Sequence, residues 1–308
     1  MPLAKPKLVI VLGPTAVGKS ALALDLAPRI DGEIVNADSQ QVYRYMDIGT
    51  GKPSEADRQT VPHHLIDVVN PDEEFNAAVF RRLATDVIDQ IHRRGKNPLL
   101  CGGTGLYLKV LTHGLFTGPG QDPEIRRSLE DEINNKGLAA LYERLVAIDA
   151  SVTSAIHPND RQRIIRALEV YETTGRPLSE WQKEHSFEED PFEVLKIGLA
   201  RERAELYEQI NRRSERMIQE GLLEEVRGLV RRGFGLELKP LRSVGYRQIG
   251  AVIGGKMELA QASAEMKQET RHLARRQLTW FRRDGEIRWY HPDKQKEEVV
   301  HAVSKFLQ

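Results

Sequence analysis

Cysteine is all but missing from this chain: Cys101 stands alone among 308 residues, which excludes an internal disulfide and a cysteine-based zinc site and suits a reducing compartment. Net charge is missing too, since 45 Lys and Arg balance 45 Asp and Glu. No global field therefore draws the molecule to nucleic acid or membrane, and any such partner must meet a local patch. No apolar run approaches the roughly 20 residues of a membrane span, and no N-terminal stretch has the flanks of a signal peptide. A cytoplasmic location without membrane attachment is expected. Internal repeats, low-complexity tracts and apolar heptads are also lacking, so a monomer is the default. The length suits one α/β domain with an insertion, or two modest domains.

What is present is organised around Gly13, Pro14, Thr15, Ala16, Val17, Gly18, Lys19 and Ser20, between the apolar run Leu8–Leu12 and the helical pattern from Ala21. This is a P-loop. A buried strand feeds a glycine-rich turn that opens a helix, whose free N–H groups and positive dipole end suit phosphate oxygens. Lys19 supplies a point charge, and the Ser20 hydroxyl can join the coordination shell of Mg²⁺.

A second strand over Gly32–Asp38 should end beside the loop, where ligands of parallel sheets sit. Asp38 there faces the crevice or caps a following helix, and both can hold at once with Ser39 as the cap and Asp38 in the site. His63 and His64 lack a third metal ligand at a recognisable spacing and read as surface or packing residues. Val79, Leu83, Val87 and Ile91 predict an amphipathic helix over 76–94. A third strand, Pro98–Cys101, runs into Gly102-Gly103-Thr104-Gly105, a second candidate N–H nest or a plain tight turn. Composition shifts at 113–120 and again at 188–191, and the residues between read as helices alone. In the helix from Asp160, Ile164, Leu168 and Tyr171 form one face, while Gln162, Arg163 and Arg166 crowd another that is either solvated or phosphate-binding. After the strand Val194–Leu199 the chain reads as helices, with Arg271 and Arg275 near Trp280 and Phe281 on a long one over 257–283, and a closing strand over 286–290. The expected fold class is α/β, a P-loop parallel-sheet core over 1–119 and 193–308 with a helical insertion domain over 120–192 and a helical C-terminal region.

A P-loop alone leaves the chemistry open. The Asp-x-x-Gly switch and Asn-Lys-x-Asp base reader of regulatory GTPases are absent, and the third strand ends in Cys101-Gly102-Gly103-Thr104 instead of the acidic residues of motor ATPases. Hydrolysis is disfavoured, and transfer to an acceptor held near Asp38 remains. Small-molecule kinases and alkyl transferases with a diphosphate leaving group both fit.

The P-loop, Asp38-Ser39-Gln40-Gln41-Val42-Tyr43, Gly102–Tyr107, Ile156–Asp160 with Arg163 and Arg166, Val244-Gly245-Tyr246-Arg247-Gln248, and Thr270-Arg271 through Gln277 to Arg282 occur in this order. Together they resemble the bacterial tRNA dimethylallyltransferases of the tRNA isopentenyl transferase family over nearly the whole chain. Gly51 and Val244 are local departures that touch nothing catalytic. The resemblance implies that dimethylallyl diphosphate occupies the P-loop, with Mg²⁺ as cofactor, and that the acceptor is N6 of the adenosine just 3′ of the anticodon in a tRNA anticodon stem-loop. It further implies Asp38 as base, Thr104, Lys19 and Arg213 as its catalytic partners, and RNA contacts from Asp38, Ser39, Gln40, Gln41, Thr104, Arg126, Gln162, Arg163, Ile164, Ile165, Arg166, Arg271 and Arg275. The rival readings are prenyl transfer to free adenylate, a P-loop small-molecule kinase, and a nucleotide-gated RNA-binding switch.

Overall fold

The computed structural model describes residues 5–115, 118–185 and 190–308, so Phe116 and Thr117 of the first expected boundary and Glu188 and Glu189 of the second lie outside the described residues. The chain divides into two compact units, Met1–Thr112 with Asp190–Gln308, and His113–Glu189. The division falls earlier at both ends than the 120–192 expected. Asp190 already belongs to the first unit through the Lys5 ammonium at 2.5 Å, and the Glu193 N–H donates to Pro6 O at 2.9 Å.

The first unit is a wholly parallel sheet with helices. Its elements begin with strand β1 (Lys7–Leu12), helix α1 (Lys19–Arg29), β2 (Gly32–Asn36), the short α2 (Glu55–Thr60), β3 (His63–His64), α3 (Ala77–Arg93), β4 (Asn97–Gly102) and α4 (Gly105–His113). The second unit holds α5 (Pro123–Lys136), α6 (Leu138–Ile148), α7 (Arg161–Thr174) and α8 (Leu178–His185). The first then resumes with β5 (Glu193–Leu199), α9 (Arg203–Gln219), α10 (Leu222–Arg231), α11 (Tyr246–Ile253), α12 (Leu259–Phe281), β6 (Arg288–Tyr290) and α13 (Lys296–Leu307). The strands lie in the order β3-β2-β4-β1-β5-β6. From β1 the chain leaves through α1 toward β2, and from β4 it eventually returns to β5 on the other flank, so β1 is the switch point where a crevice opens at the carboxyl ends of the strands.

Strand alternation sorts the sheet residues onto two faces. Val9, Val11, Leu99, Cys101, Leu195 and Ile197 pack with Leu22 and Leu26 of α1, Leu206 and Ile210 of α9, and Val299 and Val303 of α13. Helix α3 packs against β2 and β4. Its buried stripe is Phe80, Ala84, Ile88 and Ile91. The stripe expected from Val79, Leu83 and Val87 is therefore shifted by one residue. Both rows are apolar, so spacing marks a broad face whose centre only the packing decides. Phe80 is fully buried and stacks on Tyr107 of α4 with ring centroids 4.2 Å apart.

The second unit has its own core of Leu129, Ile133, Leu141, Leu145, Ile164, Ile165 and Leu168. Helix α5 starts on a sequence-encoded cap, the Asp122 carboxylate accepting the N–H groups of Glu124 and Ile125. Gly175 ends α7 in the left-handed conformation. Among the described residues no helix is long and apolar enough to cross a membrane. Because Phe80 joins α3 to α4 through a stacked pair, Phe80→Ala should lower the unfolding free energy by about 3–5 kcal/mol in a denaturant titration. A loss below about 1 kcal/mol would contradict this packing.

Candidate active site

The loop after β1 is built for close approach. Gly13 has φ +147°, and a Cβ there would stand 2.7 Å from Leu199 O of the neighbouring β5. Gly18, at φ +113°, caps α1 without a side chain. Arg201, just beyond β5, holds the outer curve by donating from Nε to Val17 O at 3.0 Å, and its own guanidinium is held by Asp293 at 2.9 Å. Beneath the loop, Lys19 Nζ donates to Pro14 O at 2.8 Å. Desolvation pushes the Lys19 ammonium down to about 8; the Asp38 carboxylate opposes that shift and Arg213 adds to it.

The end of β2 lies one strand away, across β4. Gly102 at the end of β4 is obligatory, since a Cβ there would fall 2.2 Å from Ala37 O. This approach lets the Ala37 N–H donate to Cys101 O at 2.8 Å and carries the chain on to Asp38. No helix follows, so the capping alternative for Asp38 and Ser39 is corrected: residues 39–45 form turns and a single bridge. The Asp38 carboxylate instead accepts the Gln40 N–H on Oδ1 at 2.8 Å. Asn36 supports the turn, accepting the Asp38 N–H at 3.2 Å and donating to Leu65 O at 3.0 Å. Thr104 Oγ1 accepts the Ser39 N–H at 3.0 Å, which ties the β4 loop to the Asp38 turn.

These pieces surround a cavity of about 70 Å³. Its polar lining includes Thr15, Lys19, Ser20, Asp38, Gln41 and Arg213, and its apolar lining includes Ala23, Ile34, Ile66 and Cys101. Burial pushes the Cys101 thiol up to about 11, so it contributes no charge near neutrality. Arg213 reaches in from α9, donating to Thr15 Oγ1 at 3.3 Å and to Thr50 O at 3.0 Å. Gln41 Nε2 donates to Thr50 O at 3.2 Å and Gly51 O at 3.1 Å. An adjoining cleft of about 350 Å³ shares Lys19, Ser20, Gly51 and Arg213, and adds Arg212 and Arg216.

Gln277 belongs to the last of the ordered motifs, where its sequence context assigns it no role. It comes from α12, where its Oε1 accepts the Thr15 N–H at 2.8 Å and its Nε2 donates to Gly103 O at 2.9 Å, pinning the P-loop tip to the loop after β4. Gln277 stands 262 residues from Thr15, and no local signal could reveal the bond. The paired histidines are both half-buried, and His63 lines the cavity. His64 bonds Glu33 at 2.7 Å, and His63 bonds Val61 O at 2.7 Å.

The residues expected to meet RNA fare unequally. Ile164 and Ile165 are 0% and 3% exposed in the core of the second unit, and their side chains are withdrawn from that role. Arg126 and Arg166 both turn onto Glu169, which is fully buried, at 2.7 Å each. Burial raises the Glu169 carboxyl, but the bonds from both arginines outweigh it and hold the group below the usual carboxylate range. Arg166 also donates to Pro119 O at 2.7 Å. Gln162 and Arg163 remain exposed. In the first unit, Arg271 donates to Asn211 at 2.8 Å. Arg275 lies on a separate cleft of about 540 Å³ with Tyr207 and Trp289, which shares no lining residue with the P-loop cavity.

A parallel sheet with a glycine-rich P-loop at its switch point, Lys19 and Arg213 lining one cavity with the Asp38 carboxylate, and no acid at the end of β4 defines a P-loop protein suited to group transfer. The family model for IPP transferase matches residues 41–284, starting beyond the P-loop. The chain is 53% identical to the tRNA dimethylallyltransferase of Geobacter metallireducens over 98% of both chains. The crystal structure of the full-length tRNA isopentenylpyrophosphate transferase from Bacillus halodurans superposes with a TM-score of 0.73 at 39% identity, covering 98% of this chain and 97% of that one. A eukaryotic dimethylallyltransferase captured acting on tRNA gives a TM-score of 0.80 at 28% identity, covering 97% of this chain and 79% of that one. This chain belongs to the IPP transferase family.

Among the described residues no group of three or more His, Cys, Asp or Glu could hold a metal ion. The donor set at the loop, a Ser20 hydroxyl and nearby oxygen groups, fits a hard cation such as Mg²⁺ bound chiefly through phosphate oxygens and water. The Lys19 value yields a pH test. Protonated Lys19 attracts an anion and neutral Lys19 does not, so the advantage of the wild type over Lys19→Met in pyrophosphate affinity should fade as pH rises through about 8. Calorimetric titrations of both proteins would show this, and a constant difference at alkaline pH would contradict it.

Proposed function

We propose that this chain, as a cytoplasmic monomer, transfers a dimethylallyl group from dimethylallyl diphosphate to N6 of the adenosine 3′-adjacent to the anticodon of tRNA. The observation that carries the reading is the cavity that Lys19 and Ser20 of the P-loop line together with Arg213 and Asp38. Its apolar lining suits an allyl chain, and its cations suit a diphosphate. The activities named for the relatives agree with it.

The chemistry follows from the residue types. The adenine amine is a poor nucleophile because its lone pair is delocalised into the ring, so a base must take a proton as the new bond forms. Asp38 serves as that base. Gln40 holds Oδ1, and among the described residues no donor binds Oδ2. As N6 bonds to the allylic carbon, the carbon–oxygen bond breaks and its electron pair leaves on the diphosphate. Lys19, Arg213 and the N–H groups of the loop stabilise the charge that gathers there. Mg²⁺ held at Ser20 would neutralise part of that charge when bound. Thr104 steadies the acceptor side by holding the Ser39 N–H. The acceptor base must leave its stack to reach Asp38, at a cost of a few kcal/mol. Within the first unit, Ser39, Gln40 and Gln41 beside the crevice are the residues offered to the anticodon loop; within the second, taken by itself, Gln162 and Arg163 are the exposed candidates for RNA contact, while Arg126 and Arg166 are held on Glu169.

Incubating unmodified tRNA with the protein, Mg²⁺ and dimethylallyl diphosphate, followed by mass spectrometry of the nucleosides, should yield N6-dimethylallyladenosine. A parallel reaction with ATP alone should yield none. Phosphate transfer from ATP without the allyl product would replace this reading with a kinase. Asp38→Asn should retain tRNA binding and lose about 10²-fold or more in turnover, and near-normal turnover would remove Asp38 from the role of base. Arg163→Gln should reduce the slope of log affinity for tRNA against log salt by about 1. An unchanged slope would return Arg163 to an ordinary solvated face.

A further inference from the structure

The loop 47–51 supplies the carbonyl that aims Arg213, and local bonds shape its turn, the Gly51 N–H donating to Ile48 O at 3.0 Å and the Thr50 hydroxyl to Met46 O at 2.6 Å, without tying it to the rest of the core. Its anchor lies on α10. The Glu225 carboxylate accepts three successive backbone N–H groups, Asp47 and Ile48 on Oε2 at 2.9 and 2.7 Å and Gly49 on Oε1 at 3.2 Å. Three consecutive amides converging on one carboxylate form an anion nest with the protein's own anion in it, and such charge-assisted bonds are the strong ones. Tyr246 of α11 completes the anchor by donating its hydroxyl to Glu225 Oε1 at 2.6 Å. Its ring is fully buried, and a Cβ on Gly49 would meet it at 2.5 Å, so the loop is pressed onto the ring as well as tied to the carboxylate.

Past Gly49 the chain presents Thr50 O to Arg213 Nη2 at 3.0 Å and to Gln41 Nε2 at 3.2 Å. Gly51 then lies behind the guanidinium, where a Cβ would fall 2.5 Å from Arg213 Nη2. The other bond to Arg213, from Nη1 to Thr15 Oγ1, is long at 3.3 Å. The direction of the guanidinium therefore depends mainly on where Thr50 O stands.

We propose that Glu225 and Tyr246, neither of which lines the cavity, are positioning residues that aim Arg213 at the diphosphate by fixing the loop 47–51. This rests on the donor site assigned above. It gives a role to the Val244-Gly245-Tyr246-Arg247-Gln248 motif, which the reaction itself leaves unused.

The test is pyrophosphate binding by calorimetry, without tRNA, for the wild type, Glu225→Gln, Tyr246→Phe, Arg213→Gln and the double variants with Arg213→Gln. Glu225→Gln should weaken binding about tenfold, the loss expected when hydrogen bonds to a charged group are compromised. The loss should be smaller for Tyr246→Phe, which keeps the ring on Gly49. In the Arg213→Gln background both losses should largely vanish, because a positioning residue has nothing left to aim. Unchanged affinity in Glu225→Gln, or losses that add fully to that of Arg213→Gln, would overturn the proposal. Should Glu225→Gln fail to fold, the cycle of Tyr246→Phe with Arg213→Gln decides the matter by the same criteria. Wild-type protein that binds no pyrophosphate would instead sink the donor-site reading, and this inference with it.

Discussion

Lys19 and Arg213 converge on a small cavity whose lining, among the described residues, offers the carboxylate of Asp38 alone. Positive charge held beneath a glycine loop is costly to desolvate, and the low value of Lys19 reports that cost. The charge is relieved when an anion enters. Much of the first unit can be understood as machinery that holds these charges close together until then. The machinery works by close backbone approach, with Gly13 against β5 and Gly102 against Ala37 O, because side chains at either position would hold the strand ends apart.

The second layer of control is polar and comes from distant parts of the chain. Gln277 ties the P-loop tip to the loop after β4, Arg201 holds the outer curve of the P-loop, and Thr104 joins the β4 loop to the Asp38 turn. Glu225 collects the amides of the loop that faces Arg213. Each of these side chains satisfies backbone groups of the loops between elements, and in doing so fixes a loop that its own residues only partly hold. The P-loop, the loop after β4, the Asp38 turn and the loop facing Arg213 thus share one framework, the preorganisation on which the proposed transfer would draw.

The second unit answers a different demand. Its helices carry ordinary capping signals and a compact apolar core, and Glu169 is buried with two arginines on it. Leaving a buried carboxylate unpaired is expensive, so Arg126 and Arg166 are committed to it. From sequence alone Arg166, grouped with Gln162 and Arg163 near a helix start, read as either a phosphate-binding or a solvated face, and Arg126 was expected to meet RNA only through the family resemblance. The carboxylate that claims them sits on the same helix as Arg166, three residues on, yet whether it turns inward depends on the packing of α5 against α7. Ile164 and Ile165 were likewise legible as apolar, and their burial follows from that character more directly than any RNA contact.

Local chemistry was legible in the order of the residues: the P-loop with its flanking strand and helix, the α/β alternation of the core, the helical insertion, the cap at Asp160, and Asp38 just past a strand. These follow from neighbours within a few residues, where periodicity, glycine and capping act. Packing in three dimensions settled that no helix follows Asp38, which face of α3 is buried, and which distant side chains hold the site. Gln277, Arg201 and Glu225 act on loops more than 170 residues away. A hydrogen bond depends on distance in space, and distance along the chain carries almost no information about it until the sheet has brought the strand ends together.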